Sequence, residues 1–156
     1  MTSNIINFTS DWDVPVYKIL AKNDTEESKS HQAGVLIPKS IRNYFPALTG
    51  VTSDANPTID VRLEADLFVE ESFVAKVSTR FQYQTWAGTR KPEARVTDEL
   101  RPMRSHASAD DILVFQRESK DQNRFKLTLV RKGSPTHEKI LAKVGAKRWG
   151  ELPPLL

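Results

Sequence analysis

Trp86-Ala-Gly-Thr-Arg-Lys-Pro-Glu-Ala-Arg-Val-Thr97 is the stretch on which the reading of this chain turns. Three cations, Arg90, Lys91 and Arg95, crowd around one carboxylate, Glu93, beside Gly88 and Pro92. Directly before it runs a long alternating pattern, Ser72 to Tyr83, with Phe73, Ala75, Val77, Thr79, Phe81 and Tyr83 set to face one way. A strand that feeds such a polar, restricted loop fits either of two readings. One is a solvated hairpin loop. The other is a recognition arm whose partner lies outside the protein. Arginine forks suit guanine edges and phosphates, and a carboxylate among them accepts from a cytosine amino group while steadying the guanidinium planes.

Working outward, short β patterns dominate. Val14 to Ala21 predicts a first strand and Gly34 to Ile37 a second, stopped by Pro38. Between them, Lys22 to Gln32 contains no apolar residue, so this loop does not order itself by burial and is either disordered or ordered by a partner. Pro38 to Phe45 predicts a brief helix with Ile41, Tyr44 and Phe45 on one face. Thr58 to Glu64 alternates, with Ile59, Val61 and Leu63 inward, and 98–110 reads as loop. Asp111–Arg117 and Arg124–Arg131 form a hairpin around 118–123, and Pro135 to about Val144 is an amphipathic helix with Lys139, Lys143 and Lys147 outward. About seven short strands with one or two short helices give a β-rich, all-β or α+β, small antiparallel barrel. One domain over 1–150 is expected, with 151–156 a tail or the start of a linker.

Composition narrows the function classes. The chain has 156 residues, enough to bury a core without staples, and no cysteine, which suits a reducing, cytoplasmic setting. No apolar run approaches a membrane span. The net charge of +3 is modest, but it is unevenly spread. Asp60, Glu64, Asp66, Glu70 and Glu71 make one stretch acidic, while Lys76, Arg80, Arg90, Lys91, Arg95, Arg101 and Arg104 make the next basic. Clustered cations are the footprint of a polyanion partner, although a charge run also serves as a solvated face.

Enzyme signatures are absent: there is no Gly-rich phosphate loop, no His-Glu-x-x-His and no Gly-x-Ser-x-Gly elbow. His137-Glu-Lys139 lacks the Asp that a phospholipase D-type nuclease pattern needs five residues after the lysine. Asp111, Glu118 and Lys120 resemble the Asp…Glu-x-Lys metal site of restriction nucleases, in which carboxylates hold magnesium. Their placement in a hairpin turn favours solvated side chains instead. His31 and His106 are isolated in polar loops.

Five short motifs in sequence order now carry a resemblance: Lys18 to Thr25, His31 to Pro38, Tyr44-Phe-Pro46, Asn56-Pro57 and Gly88 to Thr97. Together, over roughly residues 14–131, they resemble the N-terminal domain of EcoRII-type restriction endonucleases. That domain is similar to the DNA-binding domains of BfiI and NgoAVII and to the plant "B-three" pseudobarrel. The resemblance implies a seven-stranded open pseudobarrel whose two loops, an N-arm and a C-arm, grip the DNA major groove. By position these are residues 22–33 and 84–97. The chain departs from the family in the C-arm, Thr89 to Arg95, which is one residue longer and carries Pro92 and Ala94, and at Leu36, where the family has tyrosine.

The resulting expectation is a sequence-specific double-stranded DNA-binding module, without a catalytic site or cofactor of its own. Base contacts are expected from Arg90, Lys91, Glu93 and Arg95 of the C-arm and from Asn23, Asp24, Thr25 and His31 of the N-arm. Asn23, Asp24 and Thr25 also fit a turn that satisfies its own backbone. Lys18, Lys22, Lys29, Arg80, Arg101 and Arg104 are the phosphate candidates. Trp86 suits either anchoring the loop to the barrel or stacking on a base or sugar. The resemblance further implies a short G·C-rich target, CCWGG-like by analogy, a monomeric domain, and continuation past Leu156 into a magnesium-dependent nuclease domain. Two alternatives stand beside it: a small nuclease using Asp111, Glu118 and Lys120, and a barrel that binds single strands. The inward set of strand aromatics speaks against the second.

Overall fold

A computed structural model describes residues 5–26 and 34–155. Eight strands form one curled, open sheet in the order β2-β5-β4-β3-β7-β6-β1-β8. The strands are β1 Val16–Ile19, β2 Val35–Leu36, β3 Thr58–Val69, β4 Ser72–Gln84, β5 Glu93–Thr97, β6 Ile112–Glu118, β7 Asp121–Val130 and β8 Trp149–Glu151. All neighbours pair antiparallel except β3 and β7. The half-barrel agrees with the expected class, with one strand more than the expected seven. The addition is β8, which pairs with β1 and is followed by the fully buried Leu152. No helix among the described residues is long and apolar enough to cross a membrane.

Strand alternation builds the inner core. Leu63, Ala65 and Leu67 of β3, Phe81 of β4, Ala94 and Val96 of β5, and Phe125, Leu127 and Leu129 of β7 all point into it. The segment Lys39–Tyr44 forms a 3-10 helix in place of the expected brief α-helix, and it delivers Tyr44 and Phe45 as a plug. Phe45 stacks between Phe81, at 4.8 Å, and Phe125, at 5.4 Å, tying the two limbs of the sheet together. A second cluster lies on the outer face of β1 and β6, where Tyr17, Ile19, Ile112 and Val114 meet Ile140 of the helix α2, Pro135–Val144. Ser134 caps α2 by accepting from the His137 N–H.

Three local expectations change. Phe73 is 57% exposed rather than inward, because Leu67 pairs with Ala75 while Phe68 pairs with Phe73. The bulge leaves Val74 unpaired and reverses the parity of the strand beyond it. Residues 93–97, expected within an arm, form a strand between β2 and β4. Within 98–110, expected as loop, Arg101–Arg104 forms a helical turn, α1, that buries Met103.

Candidate nucleic-acid interface

The C-arm leaves β4 at Gln84 and returns in β5 at Glu93. Thr85 fastens its start, donating from N and from Oγ1 to the Pro57 carbonyl. Trp86, Ala87 and Gly88 then turn with φ of 56°, 52° and 80°. The left-handed region is costly for the first two of these residues, and such strain persists only where the surroundings enforce it. The Arg90 guanidinium sits over the Trp86 ring at 4.4 Å, a cation–π contact that folds the arm onto its own base. Arg90 and Lys91 are exposed at the tip. A cleft of about 450 Å³ opens beside the arm, walled by Leu36, Arg42, Tyr83, Lys91 and Glu93 among others.

Glu93 and Arg95 share the outward face of β5, since Ala94 and Val96 face the core. Glu93 Oε2 accepts from both Arg95 Nε, at 3.3 Å, and Arg95 Nη2, at 3.1 Å, which fixes the guanidinium plane. Arg95 is buried, at 9% exposure.

Lys18, Asp24, Thr25 and Arg104, four of the expected contact residues, lie at the root of the N-arm. Lys18 is buried, with its ammonium 2.8 Å from Asp24 Oδ2 and donating to the Leu36 carbonyl at 2.7 Å. Asp24 is buried as well, and its carboxylate also accepts from the N–H groups of Ala21 and Leu36. Thr25 is fully buried and donates to the Lys22 carbonyl. Arg104 donates to the carbonyls of Asp24 and Thr25. Each of these four side chains is thus engaged by the protein at the root of the N-arm.

Gly34, where the chain re-enters the sheet, has φ +88°, and a Cβ there would lie 2.4 Å from the Val96 carbonyl oxygen. Only glycine allows the N-arm to return so close to β5. Lys22 and Asn23 are exposed on the short 3-10 turn Lys22–Asp24. His31 and Lys29 lie outside the described residues.

The electrostatics join the two arms. Burial lowers the pKa of Lys18; Asp24 opposes this, while Arg95 and Arg148 reinforce it. Burial likewise lowers that of Arg104, with Glu26 and Asp24 opposing and Arg95 reinforcing. Lys18 donates to the carbonyl of Leu36, which stands opposite Arg95 in the β2–β5 ladder, so the root of the N-arm and β5 share one charge-compensated network in which Lys18 and Arg104 gather at Asp24 and Arg95 pairs with Glu93. Arg101 is largely exposed beside Glu26, and Arg80 pairs with Asp60 at 3.0 Å on the outer sheet face. Arg148, absent from the expected set, donates to the Ile19 and Leu20 carbonyls at the end of β1, just before the N-arm. Its position in a short strand-like tail carried no pattern that pointed there.

The constellation of the alternative nuclease reading is not assembled. Asp111 and Glu118 bracket β6, so an extended strand of about 3.3 Å per residue holds them roughly 20 Å apart. The Asp111 carboxylate accepts from the N–H groups of Ser108 and Lys132, Glu118 pairs with Arg124, and Lys120 is exposed in the hairpin turn. Among the described residues no group of three or more His, Cys, Asp or Glu is placed to hold a metal ion. Of the strand aromatics expected to face inward, Phe81 is buried and Tyr83 packs on the core, while Phe73 is exposed and leans edge-on against Phe68.

The open half-barrel, with Lys18, Asp24 and Arg104 joined at the N-arm root and the Arg95–Glu93 pair on β5, places the chain in a class of β-rich open-barrel domains. Within that class the chain belongs to the family "Restriction endonuclease EcoRII, N-terminal", whose model matches residues 10–132. The fold is also similar to that of a solved structure, the N-terminal domain of Helicobacter pylori LlaJI.R1. That similarity has a TM-score of 0.57 and 10% identity, and it covers 90% of this chain and 98% of the other. No curated protein matches the chain in sequence.

Proposed function

We propose that this chain is the sequence-specific, double-stranded DNA-binding module of a restriction endonuclease. The observation that carries the reading is the match to a family named for a restriction enzyme, on a fold whose N-arm root, Lys18 with Asp24 and Arg104, is tied through Leu36 to the strand that bears the Arg95–Glu93 pair. In this reading the arms enter the major groove. Arg90, Lys91, Glu93 and Arg95 read bases from the C-arm, and Asn23 and His31 read them from the N-arm. Arginine to guanine and glutamate to cytosine favour a short G·C-rich site, CCWGG-like by analogy.

Lys22, Lys29, Arg80 and Arg101 take phosphates, which set register and make affinity salt-dependent. Lys18, Asp24, Thr25 and Arg104 act one step back and hold the N-arm at the angle the groove requires. Cleavage is assigned to a separate magnesium-dependent nuclease domain, and this module binds as a monomer in the cytoplasm. Selection of bound duplexes from a random pool, followed by gel shifts with Arg95→Ala and Glu93→Ala, tests the assignment. Variants that bind the selected site as tightly as the parent would remove the C-arm from the reading head.

A further inference from the structure

Two residues outside every set considered above complete the outward face beside the C-arm. In the ladder between β4 and β5, Gln82 stands opposite Arg95 and Gln84 opposite Glu93. Phe81 and Tyr83 turn inward with Ala94 and Val96, so the two glutamines point the same way as the Arg95–Glu93 pair. The four side chains form one polar tile at the root of the arm. Directly opposite residues in such a ladder lie about 5 Å apart, and residues two apart along a strand about 6.7 Å. These spacings lie between one and two steps of a duplex that rises about 3.4 Å per base pair.

The amides are also ordered. Gln82 Nε2 donates to Gln84 Oε1 at 3.3 Å, and among the described residues no other hydrogen bond engages either side chain. The link spends one hydrogen of Gln82 and one lone pair of Gln84, so each amide keeps both a carbonyl acceptor and an N–H donor. A half-buried amide so oriented presents a donor and an acceptor together, and in the major groove adenine is the base whose edge offers the matching pair, an N7 acceptor and an N6 donor.

We infer that Gln82 and Gln84 are specificity-determining residues that read an adenine of an A·T pair next to the base pair addressed by Arg95 and Glu93. The inference rests on the DNA-binding reading and extends the reading head from the arm onto the sheet. It makes the tile a two-part reader, with the charged pair on β5 for G·C and the amide pair on β4 for A·T.

The test compares the parent with Gln82→Met and Gln84→Met, which keep side-chain length and lose the amide. Each is used for selection from a random duplex pool, and thermal unfolding checks that the fold is retained. The variants are expected to keep the G·C part of the selected site and its salt dependence, while preference for A·T at one adjacent position falls about tenfold. Replacing that adenine by 7-deazaadenine is expected to weaken the parent about tenfold and leave the variants unchanged. Variants that select the parent's site with the same preference at every position would overturn the glutamine assignment alone. A parent that selects no site would remove the DNA-binding reading, and this inference with it.

Discussion

Lys18 and Asp24 meet 2.8 Å apart with side chains only 6% and 2% exposed, and Asp24 simultaneously accepts from the N–H groups of Ala21 and Leu36. Ala21 precedes the N-arm and Leu36 follows it. Both stems of that loop therefore hang on one carboxylate, and Lys18 supplies the counter-charge that lets the carboxylate stay buried. Removing one partner of such a pair leaves an uncompensated charge, whereas removing both does not. Lys18→Met is expected to cost about 3–5 kcal/mol in urea unfolding. Lys18→Met combined with Asp24→Asn should recover part of that loss. A cost below about 1 kcal/mol for the single variant would mean that the pair does not hold the arm.

Gly34→Ala is expected to destabilise the domain by at least about 1–3 kcal/mol, since a left-handed φ is imposed on a residue with a Cβ. The clash with the Val96 carbonyl adds to this and pushes the end of the N-arm away from β5. Thermal unfolding measures the first effect. Hydrogen exchange at Val96 and Thr97 measures the second, with faster exchange the expected result.

Arg90 and Lys91 are exposed at the tip of the C-arm, so their loss should leave the fold intact. Alanine at Lys91 is expected to leave the unfolding temperature unchanged and alanine at Arg90 to cost at most about 0.5–1 kcal/mol through the lost Trp86 contact, while either weakens DNA binding. If the residue neutralises a phosphate rather than reading a base, the slope of log affinity against log salt falls by about 0.9. If it reads a base, specificity relaxes by about 1–3 kcal/mol at one position. Titrations at several salt concentrations separate the two roles.

Tyr44 gives a pH signature. Burial pushes its phenol up to about 12, and its oxygen accepts from the Arg117 N–H at 2.8 Å. The folded state keeps this proton at a pH where the unfolded chain has lost it. The group's contribution to stability is therefore complete below pH 10 and is lost as pH rises towards about 12. Tyr44→Phe is expected to be less stable than the parent near neutrality by about 1–3 kcal/mol, because the Arg117 N–H loses its partner. The gap should narrow above pH 10 in parallel unfolding curves.

Much of this architecture was legible because burial and period coincide. Thr58 to Glu64 and Phe81 to Tyr83 alternate in sequence and in space, and Ser134 with Pro135 marks the start of α2. β5 escaped because its inward residues, Ala94 and Val96, are small and sit between charges, so its five residues look like loop. β8 is three residues long with a central glycine, too short to show a period. Phe73 misled because a bulge is a one-residue event that leaves composition unchanged. In the site, the charges of the C-arm were visible. The burial of Lys18, Asp24 and Thr25 was not, since a polar residue next to a loop gives no sign of whether it faces water or a counter-charge.

The central claim is that two arms, one rooted at Lys18, Asp24 and Arg104 and the other at the Arg95–Glu93 pair, bring this face of the half-barrel into the major groove of a duplex. Methylation interference on a selected site tests it most directly, because guanine N7 lies in the major groove and adenine N3 in the minor. The expected result is loss of binding when N7 of one or more guanines is methylated, with methylation of adenine N3 tolerated. Interference confined to adenine N3 would contradict the account.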